Sequence, residues 1–423
     1  MRIKTIISGS QQRTRIVLTL GIVGGLLTAL FYTFFRPSPP ITFDVFYFAA
    51  KQSMDGEVVY ETGYGLWTYT PASLLYFYPY ALLFEFETAL RVHQLLSTFV
   101  AVFYGVVLAR FIGRQVAIER LDKALIIGFT SFSVYPIVNV VSGQFNGIFA
   151  AMLGIGWVLL EYDSDTGGIA WGLASIVKGF PAFWGAYLLR VQRWRATAAA
   201  IVAGSGATVV GILFFGIDSY VRFFTTAGSN RVRINRFSGG TSPDNEAMTP
   251  IRGLAQLFPN VDPIVWVPLI VSVVVCLTII IYILIPSDTL RGRATLLLAT
   301  IIGVTFIMPT SQDMDTYLVY APLLVLLYVE RHTIIQSLYA VGVLFISYNV
   351  GREELQTVSS VFGESVSTVA MTIGEPILAF AQMPMYGLYI IYIGVLGSVW
   401  IRRDKVDRLM RLKQYLLSLI RRD

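Results

Sequence analysis

A few polar residues stand alone in long apolar runs, and their types sort into recognisable chemistry. Asp44 lies among Phe43, Val45, Phe46 and Tyr47. A carboxylate in that setting can accept a hydroxyl proton as the oxygen attacks, which is the task of a general base. The same residue also suits a plain cap at the start of a helix over 44–54. Lys178 follows the run Gly172-Leu173-Ala174-Ser175-Ile176-Val177 and precedes Gly179 and Pro181. An ammonium there is costly unless it meets an anion, a phosphate or Asp44. Snorkelling to lipid headgroups is the structural alternative. Gln144 and Asn146 occupy the polar turn Ser142-Gly143-Gln144-Phe145-Asn146-Gly147. Their amides could bind sugar hydroxyls or phosphate, or simply make the turn. Arg222, Arg231, Arg233, Arg236 and Arg252 cluster within 216–262. Guanidinium forks match phosphate oxygens, those of a substrate or of anionic headgroups alike. Asp313 and Asp315 stand two residues apart, just before Tyr317. They could bind sugar hydroxyls, hold a divalent cation or lie in a solvated loop. The only histidines are His93 and His332, and the only cysteine is Cys276. That leaves no disulfide framework and no His- or Cys-based metal site. No cofactor is expected, with a cation at Asp313 and Asp315 left open. His93 reads as a packed or interfacial residue.

The elements that must position these residues are membrane spans. Of 423 residues, 55% are hydrophobic and only 14% charged, against about 25% charged in a soluble domain. Such a chain cannot cover itself with a water-compatible surface, so a soluble enzyme is excluded and an all-α polytopic membrane protein is expected. The net charge of +6 is spread in short clusters between apolar runs, which excludes a nucleic-acid surface. Twelve apolar segments are expected as membrane helices: 16–35, 88–110, 124–141, 145–162, 168–179, 180–190, 196–215, 264–285, 293–309, 316–330, 332–350 and 378–401. Segments 168–179 and 180–190 are half length, a broken pair of the kind tolerated only inside protein or beside a water-filled cavity. Residues 71–84, with Pro79 inside, read as a helix in the outer interface. Residues 16–35 read as a span, not as a cleaved signal segment.

Placing the N-terminus in the cytoplasm puts 22 of the 32 Lys and Arg on the cytoplasmic side, as the positive-inside rule requires. Both termini are then cytoplasmic, in a cell membrane. The outer side receives the loops 36–87 and 216–262 and a smaller region, 351–377. The tail 402–423 reads as a basic amphipathic helix on the inner leaflet. No internal repeat divides the chain, so 1–423 is one membrane domain. Counted this way, Asp44, Gln144, Lys178, the arginine loop, Asp313 and Asp315 share one outer face.

The run Asp44-x-x-Tyr47-x-Ala49-Ala50, then Gly56-x-x-x-Tyr60 and Tyr69-Thr70-Pro71, resembles the polyprenyl-phosphate-mannose-dependent α-mannosyltransferases of the GT-C superfamily. These include enzymes that extend phosphatidylinositol mannosides. The turn Gly143-Gln144-x-Asn146 and the stretch from Gly172 through Lys178-x-x-Pro181 to Arg190-x-x-Arg193-Trp194-Arg195 are similar to the same family. The resemblance covers roughly 40–195, with Tyr317-Leu318 added late in the chain. It implies a GT-C-like fold, Asp44 as the catalytic base, and Gln144 and Lys178 as donor or acceptor contacts. The sequence departs from the family in carrying Asp315-Thr316, not a histidine, before Tyr317.

The expected function is an inverting membrane glycosyltransferase. It would move a sugar, mannose first, from a polyprenyl-phosphate donor to a lipid or glycan acceptor on the outer face. Substrate contacts are expected from Tyr47, Tyr69, Gln144, Asn146, Lys178, Arg231, Arg233, Arg236, Arg252, Asp313, Asp315 and Tyr317. A transporter or flippase of polyprenyl-linked lipid or of a small molecule is the competing class. It predicts paired repeats and ionisable residues deep in the spans, and the sequence has neither.

Overall fold

The structure is a computed structural model that describes residues 2–34, 42–57, 59, 60, 67, 69–227, 234–308 and 311–420. Its first half consists of α1 (Arg2–Phe34), α2 (Phe43–Met54), α3 (Tyr78–Leu83), α4 (Phe86–Gln115), α5 (Arg120–Phe132), α6 (Val134–Ser142), α7 (Asn146–Glu161), α8 (Thr166–Val177), α9 (Gly185–Arg190) and α10 (Trp194–Arg222). The second half consists of α11 (Pro250–Leu257), α12 (Trp266–Leu284), α13 (Leu290–Ile307), α14 (Tyr320–Val329), α15 (Thr333–Ile346), α16 (Arg352–Ser360), α17 (Glu364–Phe380) and α18 (Met383–Ile420). Among the described residues, β pairing is limited to one bridge, Ala247 to Gln312.

Among the described residues, seven helical stretches are long and apolar enough to cross a bilayer: Gln11–Phe34, Phe86–Gln115, Arg120–Ser142, Trp194–Thr225, Pro263–Leu284, Leu290–Ile307 and Met383–Ile401. Three shorter apolar helices accompany them, Asn146–Glu161, Thr166–Val177 and Thr333–Ile346. The chain is thus a polytopic helical membrane protein, and seven of its helices among the described residues have full spanning length. The expected half-length pair is α8 followed, across Lys178 and Gly179, by a 3-10 turn Phe180–Trp184 and the six-residue α9. Segment 316–330 is a 3-10 turn, Asp313–Val319, leading into the ten-residue α14. The stretch 71–84 is a 3-10 turn, Pro71–Tyr76, and α3, and neither is long enough to span. No proline or glycine interrupts the chain after Gly397, and the α18 backbone runs on as one helix to Ile420.

Burial sorts these helices into layers. Of the most apolar stretch of α13, 78% is buried, against 6% for that of α10 and 17% for that of α12. Apolar side chains such as Leu213, Phe214 and Ile283 lie exposed on the outer pair, as a lipid-facing rim requires. α10 lies close against α8 because the contacting residues are small. A Cβ on Gly172 would come within 2.3 Å of the Ala200 carbonyl oxygen.

The two ends of the bundle differ in chemistry. At one end, Arg15 forks onto Asp122 at 2.9 Å on both oxygens, and Arg293 forks onto Glu161 at 2.6–3.0 Å. Arg291 reaches Glu330 at 3.1 Å, and Arg193 pairs with Asp163. Arg190 donates to the carbonyls of Tyr282 and Ile285, which end α12. The other end gathers Asp44, the turn after α6, and the turn after α13.

Candidate functional site

The site is built on the turn between α6 and α7. Gly143 ends α6 with φ 66°, a left-handed conformation that favours glycine. A Cβ there would also meet the Phe43 Cβ at 2.6 Å, so the start of α2 rests directly on the turn. Thr42 fastens the contact. Its amide and its Oγ1 both donate to the Ser142 carbonyl, at 2.9 and 3.0 Å. This explains why Thr42 makes no side-chain cap on its own helix. Asp44 then falls in the first turn of α2. It is half-buried, and its Oδ1 accepts the Val45 amide at 2.7 Å. Among the described residues no other hydrogen bond reaches that carboxylate.

His93 supports the same turn from α4. Its ring stacks on Phe43 at 4.9 Å. Its Nδ1 lies 3.3 Å from the Tyr80 hydroxyl and its Nε2 3.5 Å from the Gln144 carbonyl. It is a packed residue. The Gln144 amide donates to the Asn139 carbonyl at 2.8 Å. Both side chains are buried, and Gln144 Oε1 and Asn139 Oδ1 accept no hydrogen bond among the described residues. A buried amide oxygen left this way costs about 1–3 kcal/mol unless something meets it. Asn139 carries no motif. Its signal is only a lone amide inside the apolar run Val138-Asn139-Val140.

Asn146, buried, begins α7. The next residue, Gly147, sits so that a Cβ would lie 3.7 Å from both Asn139 and Tyr317. That contact joins the turn to the 3-10 segment Asp313–Val319. Tyr317 is buried, with its hydroxyl on the Thr130 carbonyl at 2.5 Å. Asp315 uses one oxygen to accept the Gln312 amide at 3.1 Å and the other to accept Lys178 Nζ at 2.6 Å. Lys178 and Asp315 are 6% and 4% exposed. A buried pair of this kind is held by both members, and removing either leaves an uncompensated charge. The Phe180 ring lies 5.8 Å from the ammonium. Thr70 ties the first loop to the same break, donating to the Ile176 carbonyl at 2.5 Å.

An apolar cleft of about 620 Å³ runs beside that break, between α8, the 3-10 turn and α10. Gly172, Ser175, Gly179, Ala200 and Gly204 line it, with Thr70 and Phe223 near the site.

Asp313 faces the other way from Asp315. Its oxygens accept the Met314 amide and the Asn349 side-chain amide, both at 2.7 Å. Burial first, then the nearby Glu246, pushes its carboxyl up to about 7. The two aspartates therefore serve different partners, and among the described residues no group of three or more His, Cys, Asp or Glu is arranged to hold a metal.

The remaining expected contacts scatter. Tyr47 is buried and donates to the Phe84 carbonyl at 2.9 Å. Tyr69 packs on Phe46 and Trp67. Arg236 is exposed over the Phe237 ring, while Arg231 and Arg233 lie outside the described residues. Arg252 is fully buried and donates to the Ala379, Leu378, Ser242 and Pro243 carbonyls. These bonds satisfy the carbonyl end of α17, while the buried Arg252 Nη1 has no acceptor among the described residues.

The arrangement offers a carboxylate, two amides and a buried ammonium at one end of a helical membrane bundle, with an apolar cleft behind the ammonium. Such a set can move a proton and hold an anion. Comparison with curated proteins gives no match, and comparison with solved structures gives none either. A family model does match, over residues 67–309. The matched stretch contains Gln144, Asn146, Lys178 and the cleft, and it makes the chain a membrane glycosyltransferase belonging to glycosyltransferase family 87.

Proposed function

We propose that the chain transfers a sugar, mannose first, from a polyprenyl-phosphate donor to a hydroxyl of a lipid or glycan acceptor, with inversion, at the outer face of the cell membrane. The termini would then be cytoplasmic. The observation that carries this reading is Lys178. Its ammonium is held by Asp315 where α8 breaks, and a lipid-facing apolar cleft adjoins the same break. An isoprenoid chain suits the cleft, and a phosphate monoanion or dianion suits the ammonium. Soluble nucleotide sugars would have no use for the first.

In this reading Asp44 accepts the acceptor hydroxyl proton as that oxygen bonds to the anomeric carbon. The anomeric carbon–oxygen bond to phosphate breaks at the same centre, and polyprenyl phosphate leaves with the bonding pair. Lys178 meets the charge that grows on the phosphate in a site of low dielectric. Gln144 and Asn139 present buried amide oxygens to hydroxyl donors. Asp315 positions the ammonium.

The test uses purified full-length protein in detergent with polyprenyl-phosphate-mannose and a mannoside acceptor. Free polyprenyl phosphate and extended acceptor should appear in equal amounts. Lys178→Met should lower the rate by at least about 10²-fold. Polyprenyl-phosphate arabinose or glucose used in preference to mannose would overturn the sugar. A nucleotide sugar used in place of every polyprenyl donor would overturn the reading itself.

A further inference from the structure

The hairpin of α16 and α17 stands at the site end of the bundle and is rooted at both of its ends. At the start of α16, Arg352 Nε donates to Glu375 of α17 at 2.7 Å. Three residues earlier, the Asn349 side-chain amide donates to Asp313 at 2.7 Å. At the end of α17, Arg252 donates to the Leu378 and Ala379 carbonyls, and the Tyr386 hydroxyl donates to the Ile377 carbonyl at 3.0 Å. Between the two helices Leu355 is seated against Gly374, where a Cβ would find no room.

The free side of α17 is apolar. Val366, Val369, Ile373 and Ile377 are 46–61% exposed. Their i, i+3, i+7, i+11 spacing puts them in one stripe along the helix. Val361 and Phe362, in the hairpin turn, are more exposed still. No charge falls on the stripe. Of the two acids of α17, Glu364 begins the helix and Glu375 is held by Arg352. The exposed face away from the stripe carries hydroxyls instead, those of Thr368 and Thr372, bonded to the Glu364 and Thr368 carbonyls.

The roots of the hairpin indicate what covers the stripe. The spans of α12 and α18 begin at Pro263 and Met383. Trp266 and Tyr386 stand in the first turn of those two helices, and such rings sit at the headgroup level of a membrane. Phe258, just past α11, lies 5.4 Å from the Trp266 ring, and Phe380, ending α17, lies 6.3 Å from the Tyr386 ring. Phe380 also packs on Gly253 of α11. α11 and α17 therefore leave the bundle at the membrane surface. Exposed Val265, Ile264, Phe258 and Leu257 carry the lipid-facing surface of α12 up to that level, and Ile377 opens the stripe one turn before Phe380. The apolar surface is continuous from span to stripe, and it bears no charge that a partner chain would read.

We propose that α17 lies along the leaflet on the site's side, with the stripe from Val366 to Ile377 among the outermost acyl carbons and the hydroxyl face toward the headgroups. The hairpin is then an anchor on the lipid surface. Helices of this kind bury an apolar face about 5–10 Å into the boundary between headgroups and acyl chains.

The experiment uses the full chain with Cys276→Ser in lipid nanodiscs. Each sample carries one nitroxide, on Val366→Cys, Val369→Cys, Ile373→Cys, Glu364→Cys or Thr368→Cys. Collision with oxygen, which concentrates in lipid, is compared with collision with a water-soluble nickel chelate. Oxygen should dominate by about threefold or more at positions 366, 369 and 373, and the chelate should dominate at 364 and 368. Dominance of the chelate at all five positions would put the stripe in water and overturn the proposal. Exclusion of both reagents from 366, 369 and 373 would mean that a protein, a second copy or another chain, covers it, and would overturn the proposal equally. All five positions are exposed, so the thermal midpoint should hold. Three stripe positions report the same face, so a single label that unfolds the chain leaves the comparison intact. Sugar transfer enters none of these outcomes, and the anchor stands or falls apart from the proposed reaction.

Discussion

The two ends of the bundle use the same residue types for opposite purposes. At the end carrying Arg15, Arg193, Arg291 and Arg293, each guanidinium has its carboxylate, and the pairs clamp helix ends together. At the other end one ammonium–carboxylate pair is buried, and amide oxygens of Gln144 and Asn139 beside it accept no hydrogen bond among the described residues. Asp44 there has one oxygen on a neighbouring amide. Closed pairs make a framework. Polar groups held in place yet incompletely satisfied make a site, because a ligand gains the hydrogen bonds that the fold leaves unmade.

That contrast can be broken or sharpened by substitution. The largest expected effect is at Asp44. Asp44→Asn keeps the shape and the Val45 contact but cannot take a proton, and sugar transfer should fall by about 10²–10⁴-fold with an unchanged thermal midpoint. Near-normal transfer by the purified variant would remove the base from the account. Next comes Asp315→Asn, which strips the buried partner of Lys178. It should cost about 3–5 kcal/mol in denaturant unfolding and also raise the donor KM. Arg293→Met at the opposite end should cost somewhat less, about 3 kcal/mol, since Arg293 is 22% exposed. Its transfer rate per folded molecule should match the wild type. Loss of activity there beyond the loss of folded protein would blur the distinction between framework and site.

The most gradual effect is a pH dependence. The Asp313 carboxyl is raised by burial and Glu246 to about 7, so between its unfolded value and 7 the folded state binds the extra proton. Stability should therefore fall as pH rises through that window, by at most about 1.4 kcal/mol per pH unit, and level off above it. Asp313→Asn should flatten the profile. An unchanged slope would place the proton elsewhere.

Much of this was legible in the sequence, and the limits have physical causes. The helical membrane class follows from composition, and the break at Lys178 from Gly179 and Pro181. Counting Lys and Arg along the chain put Asp44, Gln144 and Lys178 on one expected outer face, a sidedness that the labelling below tests. Asn139 was hidden because one amide does not disturb the apolar pattern of a span. Asn349 and Glu246 were hidden because only tertiary packing brings them to Asp313. Arg252 misled in the opposite direction. Its fork suits phosphate, but its burial against the end of α17 gives it carbonyls instead, and nothing local in the sequence marks where that helix ends. The region 351–377, expected as an outer connection, folds into α16 and most of α17, with Leu355 seated against Gly374 and apolar side chains such as Val361, Phe362, Val369 and Ile373 left exposed.

The proposed orientation turns the site end outward and the paired end toward the cytoplasm. Single cysteines at Asp55, Glu353, Lys123 and Asp165, all exposed, can be placed in a chain whose own Cys276 is replaced by Ser. Intact cells are then treated with a membrane-impermeant maleimide. The account predicts that positions 55 and 353 are labelled and that positions 123 and 165 are labelled only after the cells are opened. Labelling of 123 and 165 in intact cells, or of 55 and 353 on opposite sides, would contradict it.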